Sequence, residues 1–342
     1  MTSILGIETS CDETSVAIVE DGHKVRCNLI AKQDDLHAKF GGVVPELASR
    51  AHIETLDLLV REALERCNIA PQALEAIAVT CEPGLIGSLL IGVTAAKTLA
   101  WSWHKPLIGV NHVHAHATSA TIELEADPWP AIALVVSGGH TSLLLVRAYD
   151  DIETLGRTID DAAGEAFDKV ATILGLGYPG GPLVDRRAQR GGENLVRFPR
   201  STLGPGSLDF SFSGLKTAVL YHVHGPGKTS GGLERLCEAD LNNICKAFSE
   251  AVVDVLVNKT LMAAERTNVD TLLLGGGVAA NAMLRSRLAA ACTDKGLSLH
   301  LTPPTYCTDN AAMIAALGFH LLQSGHRAGL DLTASAHPGV GA

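Results

Sequence analysis

Aromatic residues are scarce. Phe, Trp and Tyr together make up 4% of the 342 residues, so a core built mainly of large rings is excluded. The eight cysteines include no Cys-x-x-Cys pair and no dense cluster. They read as the reduced thiols of a cytoplasmic protein, not as a disulfide framework. The opening residues Met1-Thr2-Ser3-Ile4 carry neither a basic segment nor an apolar one, so no secretory signal is expected. The most apolar long run, Leu85 to Trp103, is interrupted by Lys97, two glycines, Ser and Thr. It predicts a buried helix and no membrane span. An excess of positive charge is also missing. The net charge of −10 argues against autonomous high-affinity binding to nucleic acid, though not against a local basic face.

What is present points to a packed globular protein. Hydrophobic residues make up 46% and the mean hydropathy is +0.21, and the length suffices for two domains with substantial cores. The 34 glycines imply small-residue packing and many tight turns. Strands are expected at 3–8, 14–20, 24–31, 76–80, 107–110, 131–137, 141–147, 271–274 and 297–301. Helices are expected at 45–67, from after Gly84 to about 101, at 161–174, through 190, within 233–267, at 279–293 and at 309–324. On the first long helix the inward stripe is expected to be Leu47, Ala51, Leu56, Leu59, Val60, Ala63 and Leu64. Residues 191–214 read as polar and turn-rich, and the chain from about Ala334 as a frayed tail. Strands alternating with helices give an α/β class with at least partly parallel sheets. A faint internal repeat is visible: Thr14-Ser15-Val16-Ala17-Ile18-Val19 and Thr141-Ser142-Leu143-Leu144-Leu145-Val146 both follow an apolar strand and a polar turn.

The stretch Asn111-His112-Val113-His114-Ala115-His116 carries the sharpest chemical signal. A helix starting at Asn111, a good N-cap, puts His112 and His116 about 5–6 Å apart on one face. His114 then points elsewhere. Such a pair can hold one Zn²⁺ or Fe²⁺, or can simply pack a helix start. Asp309, where the last helix begins, is either its N-cap or a carboxylate completing a two-His, one-acid set with open positions. Val135-Val136-Ser137-Gly138-Gly139 is a glycine turn at a strand end, able to bring N–H groups close to a phosphate or to serve hairpin geometry alone. It lacks the Lys of a Walker A loop. Gly275-Gly276-Gly277-Val278-Ala279-Ala280-Asn281 fits a degenerate dinucleotide fingerprint without the acidic residue expected after the next strand. A nucleotide at that helix start remains open, with Asn281 as a ligand or as a cap. Asp168 and Asp185 lie on helix faces as solvated charge or as ligands. Arg186, Arg187, Arg190, Arg197 and Arg200 form the densest basic region, a solvated face or a phosphate contact.

Taken together, these motifs resemble a known family. Gly6-Ile7-Glu8-Thr9-Ser10-Cys11-Asp12-Glu13-Thr14, the His stretch and Val136-Ser137-Gly138-Gly139-His140-Thr141 occur in its order. So do Gly164-Glu165-Ala166-Phe167-Asp168-Lys169, Tyr178-Pro179-Gly180-Gly181-Pro182, Phe212-Ser213-Gly214-Leu215-Lys216 and the Gly275 to Asn281 segment. The chain resembles the TsaD family of tRNA N6-adenosine threonylcarbamoyltransferases to about residue 325. The resemblance implies two ribonuclease-H-like lobes of the actin/Hsp70/sugar-kinase (ASKHA) fold around a nucleotide cleft, with residues 1–110 and about 308–342 in one lobe and 111–307 in the other. It implies transfer of the threonylcarbamoyl group of threonylcarbamoyl-AMP to the N6 amine of adenosine 37, in tRNAs reading codons that begin with A. By the same resemblance His112, His116 and Asp309 hold one divalent metal, given as iron with Zn²⁺ as the alternative. Val135, Val136, Ser137, Gly138 and Gly139 line the phosphate and acyl region of the substrate, and Asp168, Gly181, Asp185 and Asn281 bind its nucleoside. Partner proteins of the TsaB and TsaE type and a cytoplasmic location are implied too. No general base is assigned; Glu13 and a water are the options. The His stretch lacks the Glu of H-E-x-x-H, which speaks against a metalloprotease. Competing readings are a kinase of the same fold, which would use ATP and Mg²⁺ without the His pair, and a non-catalytic nucleotide-dependent scaffold, which should lack the metal residues.

Overall fold

The computed structural model describes all residues except 125, 193–195 and 338–342. The end of the tail expected from Ala334, and three residues of the polar stretch 191–214, therefore lie outside the described residues. Contacts divide the chain into two compact units. The first comprises Met1–Trp129, Arg147–Ile152 and Thr302–Ala342, and the second Pro130–Val146 and Glu153–Leu301. The boundaries expected from the sequence are residue 110 and about 308. The His-bearing helix packs on the last helix of the chain and follows directly from a strand of the first sheet. It therefore counts with the first unit.

In the first unit, strands β1 (Ser3–Glu8), β2 (Glu13–Glu20), β3 (Lys24–Lys32), β4 (Ala76–Glu82) and β5 (Leu107–Asn111) form one sheet in the order β3-β2-β1-β4-β5. β1 runs antiparallel to β2 and parallel to β4, and β4 is parallel to β5. Helices α1 (Asp34–Ala38), α2 (Pro45–Cys67), α3 (Ile86–Trp103), α4 (His112–Thr118) and α10 (Ala311–Gln323) complete the unit. The whole of β1 is buried, because α2 and α3 pack on one face of the sheet and α10 on the other. α10 can approach closely because Gly6 has no side chain: a Cβ there would lie 2.3 Å from the Ala311 carbonyl oxygen. α2 starts on Pro45 at its first turn and stops on Asn68 in the left-handed region. Its buried stripe is Ala48, His52, Leu56, Val60, Ala63 and Cys67, one residue round from the expected Leu47 and Ala51. The shift follows from His52, which is buried because its ring bonds Thr14 Oγ1 at 2.7 Å and the Cys11 carbonyl at 3.0 Å. An apolar pattern gives no weight to a histidine with both nitrogens satisfied.

In the second unit, β6 (Ala131–Val136), β7 (Thr141–Ala148), β8 (Asp151–Arg157), β9 (Thr271–Gly275) and β10 (Ser298–Leu301) form a sheet in the order β8-β7-β6-β9-β10. The helices are α5 (Ala163–Ile173), α6 (Gly180–Ala188), α7 (Ser213–His224), α8 (Glu238–Thr267) and α9 (Ala282–Lys295). Each sheet lists its strands as third, second, first, fourth, fifth. In both, the first strand is antiparallel to the second and parallel to the fourth. The segments Thr14–Val19 and Thr141–Val146 hold the same place in the two sheets, so the repeat seen in the sequence is a repeat of architecture. β8, with the polar sequence Asp-Ile-Glu-Thr-Leu-Gly-Arg, was not anticipated: an exposed edge strand needs no apolar alternation. The long helical pattern of 233–267 is a short 3₁₀ turn and then the single thirty-residue helix α8.

A histidine near the end of α10 is open to test. His320 stacks on Tyr149, with ring centroids 3.5 Å apart and planes 7° from parallel. Tyr149 in turn bonds Asp127 at 2.8 Å. Burial pushes His320 down to about 4, against the attraction of Asp127 and with the help of His23. Because the folded protein resists this proton and the unfolded chain accepts it near pH 6.5, the stability held by neutral His320 is lost as pH falls from about 6.5 towards 4. The variant His320→Phe keeps a ring on Tyr149 without titrating. Thermal melts at pH 7 and pH 5 should show a smaller drop for this variant than for the wild type. An equal drop would remove His320 from the account.

Candidate metal centre and ligand pocket

β5 ends on Asn111, whose side-chain oxygen accepts the N–H groups of Val113 at 2.9 Å and His114 at 3.1 Å. This cap starts α4 on His112 and puts His112 and His116 one turn apart, both buried. Their rings meet edge to face with centroids 4.6 Å apart. His114 lies half-buried, and burial lowers its pKa. The N-cap of α10 is Asn310, not Asp309. The Asn310 side chain accepts from Met313 N and donates to the carbonyls of Tyr306 and Thr308. With the helix start satisfied by its neighbour, Asp309 turns to the histidines. Its Oδ1 is 3.0 Å from His116 Nε2 and 3.6 Å from His112 Nε2. One donor atom from each of the three residues lies within 4.8 Å of the other two.

The donors suit a divalent transition ion. Two imidazole nitrogens and one carboxylate, with no thiolate, make a set that leaves coordination positions open. The histidines are buried and the Asp309 side chain is 18% exposed, so the set is reached from its Asp309 side. A further participant carries no site signal in the sequence. Glu8, fully buried at the end of β1, bonds His112 Nδ1 at 3.1 Å. It also accepts the Ser10 N–H and the Thr80 hydroxyl, each at 2.5 Å. Burial raises the Glu8 carboxyl, yet the His112 ring outweighs it and holds the group below the usual carboxylate range. Burial lowers His112, but Asp309 and Glu8 together push it up to about 9. His116 falls below its ordinary value, since burial outweighs its bond to Asp309. Glu13 is pushed well up by burial, then by Asp309 and Asp12.

A separate cavity of about 250 Å³ lies within the second unit, lined among others by Gly138, Asp168, Gly181, Asp185, Gly277 and Asn281. The glycines in its lining and next to it are of two kinds. At Gly138, Gly181 and Gly277 an added Cβ meets nothing within 4 Å. At Gly164 it would lie 2.5 Å from the Ser137 oxygen, at Gly180 2.5 Å from the Ala171 methyl, and at Gly276 2.4 Å from the Val136 oxygen. The crowded glycines let the walls close on each other, while the open ones leave backbone bare to the cavity. Asp168 is a helix cap: its Oδ1 accepts Gly180 N at 2.8 Å and Gly181 N at 3.3 Å. Asn281 caps α9 through Leu284 N and also donates to Asp185 Oδ1 at 2.9 Å. Burial pushes the Asp185 carboxyl up. Val135 and Val136 are wholly buried in the sheet and are not among the residues that line the cavity, so the expected contact of these two residues with a ligand is not seen; they back the glycine turn that follows them. Ser137 and Gly139 belong to the turn closed by Ser137 N to the His140 carbonyl at 2.7 Å. In the basic region, Arg200 pairs with Asp254 at 2.8 Å and Arg187 bonds Asn242 at 3.0 Å.

Fold and sites define an α/β protein of the ASKHA type with a His-His-Asp group and a glycine-walled pocket. Two solved structures share the fold. HypF from T. kodakarensis matches with a TM-score of 0.64 at 16% identity, over 94% of this chain and 48% of its own. Component A of (R)-2-hydroxyglutaryl-CoA dehydratase from Acidaminococcus fermentans matches with a TM-score of 0.54 at 13% identity, over 95% and 100%. The family profile of TsaD, tRNA N6-adenosine threonylcarbamoyltransferase, matches residues 24–316. A protein of that name from Anaeromyxobacter sp. is 50% identical over 97% of this chain and 98% of its own length. Another from Symbiobacterium thermophilum is 50% identical over 99% and 96%. The chain belongs to the TsaD family.

The metal reading predicts that His116→Ala removes one donor without unfolding α4. Metal content by elemental analysis should fall at least about tenfold, the scale seen even for changes behind the ligands, while far-UV circular dichroism stays that of the wild type. Undiminished metal would show that the triad is not the site.

Proposed function

We propose that this chain forms N6-threonylcarbamoyladenosine at position 37 of tRNAs reading ANN codons. The observation that carries the reading is the His112-His116-Asp309 group, kept intact in a chain of this family. In the reaction, N6 of adenosine attacks the carbamoyl carbon of threonylcarbamoyl-AMP. The C–N bond forms, the bond from that carbon to the phosphate oxygen breaks, AMP leaves, and the amine loses a proton. The amine is a poor nucleophile because its lone pair is delocalised into the ring, so activation and positioning must supply the rate.

The residues divide these tasks. Asp185 and Asn281, already bonded to each other, take the nucleoside. Asp168 shapes the wall by holding the first turn of α6, and Gly181 opens it. The turn at Gly138 and Gly139, with open space around both α-carbons, offers main-chain N–H groups to the phosphate and acyl region, with Ser137 beside it and the buried strand end Val135-Val136 behind it. His112, His116 and Asp309 hold one divalent ion, Fe²⁺ in our reading with Zn²⁺ as the alternative. Such an ion supplies Lewis acidity to a developing negative charge.

The acidic chain needs help with tRNA. An apolar groove of about 530 Å³ between α2 and α3, exposing Ile53 and Leu90, supports a protein partner on the first unit. TsaB- and TsaE-type proteins are the partners proposed, in the cytoplasm. No helix among the described residues is long and apolar enough to cross a membrane.

The deciding assay supplies threonylcarbamoyl-AMP, unmodified tRNA and both partner proteins, and reads the nucleoside by mass spectrometry together with AMP release. Modified adenosine with equimolar AMP is expected, and AMP without it would sink the transferase reading. Asp185→Asn should raise KM for the adenylate roughly 10- to 100-fold, the loss of one hydrogen bond to a charged group, with kcat little changed. The isolated chain should bind tRNA with a Kd weaker than about 1 μM at physiological salt, the range of non-specific contacts. Tighter binding would remove the need for partners in tRNA capture.

A further inference from the structure

We infer that Glu8 is the positioning residue of the metal centre, presetting His112 with its proton on Nδ1 and its lone pair on Nε2. The inference rests on the metal reading above and goes beyond the three ligands. Its basis is the hydrogen-bond polarity around one buried carboxylate.

Glu8 Oε1 receives the backbone N–H of Ser10 at 2.5 Å, and Oε2 receives the Thr80 hydroxyl at 2.5 Å. As a carboxylate, Glu8 has no proton to offer on either oxygen, so the His112 Nδ1 at 3.1 Å is the donor. In the neutral ring the lone pair then falls on Nε2, the nitrogen that faces Asp309 at 3.6 Å. Ser10 Oγ lies 3.2 Å from the same Nδ1. A hydroxyl can donate or accept, so it follows the tautomer set by the carboxylate. The second histidine makes the contrast. His116 Nδ1 is buried and has no hydrogen-bond partner among the described residues, while its Nε2 is 3.0 Å from Asp309. To ligate through Nε2, His116 must move its proton to Nδ1, whereas His112 has only to release the proton on Nε2 and keeps the tautomer that Glu8 sets. A carboxylate behind a ligating imidazole raises its basicity and fixes its orientation.

The polarity makes Glu8→Gln a sharp test. The Ser10 N–H is backbone and cannot turn, so it keeps the amide oxygen. The NH₂ then takes the place of Oε2, facing Thr80 and His112. Thr80 can rotate to accept. His112 Nδ1 must accept as well, which moves the ring proton to Nε2, the ligating nitrogen.

The probe is Zn²⁺ alone, with affinity measured by chelator competition and folding of the metal-free protein by thermal unfolding. Glu8→Gln is expected to melt as a folded protein and to hold Zn²⁺ about 10- to 100-fold more weakly, whereas Ser10→Ala, which keeps the backbone N–H, should bind as the wild type does. A second measurement needs no variant. In Zn²⁺-loaded wild-type protein with ¹⁵N-labelled histidine, His112 Nδ1 should carry a directly bonded proton. Unchanged Zn²⁺ affinity in Glu8→Gln, or a bare Nδ1 in the loaded wild type, overturns the role of Glu8. Loss of affinity in Ser10→Ala but not in Glu8→Gln overturns it in favour of the hydroxyl. Wild-type protein that takes up no Zn²⁺ overturns the metal reading itself and this inference with it.

Discussion

The first unit depends on one arrangement: three parallel strands whose carboxyl ends stand side by side. β1 ends in Glu8, the neighbouring β4 carries Thr80 near its end, and β5 runs directly into the helix of His112. Parallel pairing brings these ends to one edge of the sheet, where open α/β sheets place their ligands. A charged residue at the end of a wholly buried strand is costly unless it is paired and hydrogen-bonded. Here the ring of His112, a backbone N–H and a hydroxyl meet that need.

The two units repeat a five-strand plan but use it for different chemistry. In the first, the end of the first strand carries a carboxylate and the turn after it is tied down by His52 from α2. In the second, the equivalent strand ends in Val136, and the turn after it holds two glycines around which an added Cβ finds open space. One edge therefore offers side-chain donors and the other bare backbone. Crowded glycines at 164, 180 and 276 are as necessary as the open ones, because each lets a main-chain segment come closer than any Cβ permits.

Helix caps decide which polar groups are spent on structure. Asn111 and Asn310 satisfy the starts of α4 and α10, which leaves the adjacent His112 and Asp309 for each other. In the second unit the polar groups serve twice: Asp168 caps α6, and Asn281 caps α9 while bonding Asp185. The adjacency of an Asn to a functional residue at both ends of the His-His-Asp group is thus a division of labour between neighbours.

Much of this was legible in the chain itself. Apolar runs bounded by glycines and prolines locate nine of the ten strands among the described residues, since buried strands must be apolar and turns need special backbone angles. The spacing of His112 and His116 followed from helix geometry, and the hairpin repeat was visible as an ordered pattern. Other features required the folded molecule. β8 was missed because an exposed edge strand has no apolar signature. The stripe of α2 was misplaced because a histidine with both nitrogens bonded can be as buried as a leucine. Whether Asp309 or Asn310 caps α10 is a choice between two adjacent side chains that share one composition signal, and only their directions resolve it. Glu8 escaped notice for the same reason: a carboxylate after four apolar residues reads as the end of a strand. Its partners Thr80 and His112 are 72 and 104 residues away. Periodicity along a chain reports local geometry, whereas a hydrogen bond between distant residues exists only once the sheet has brought their strands together.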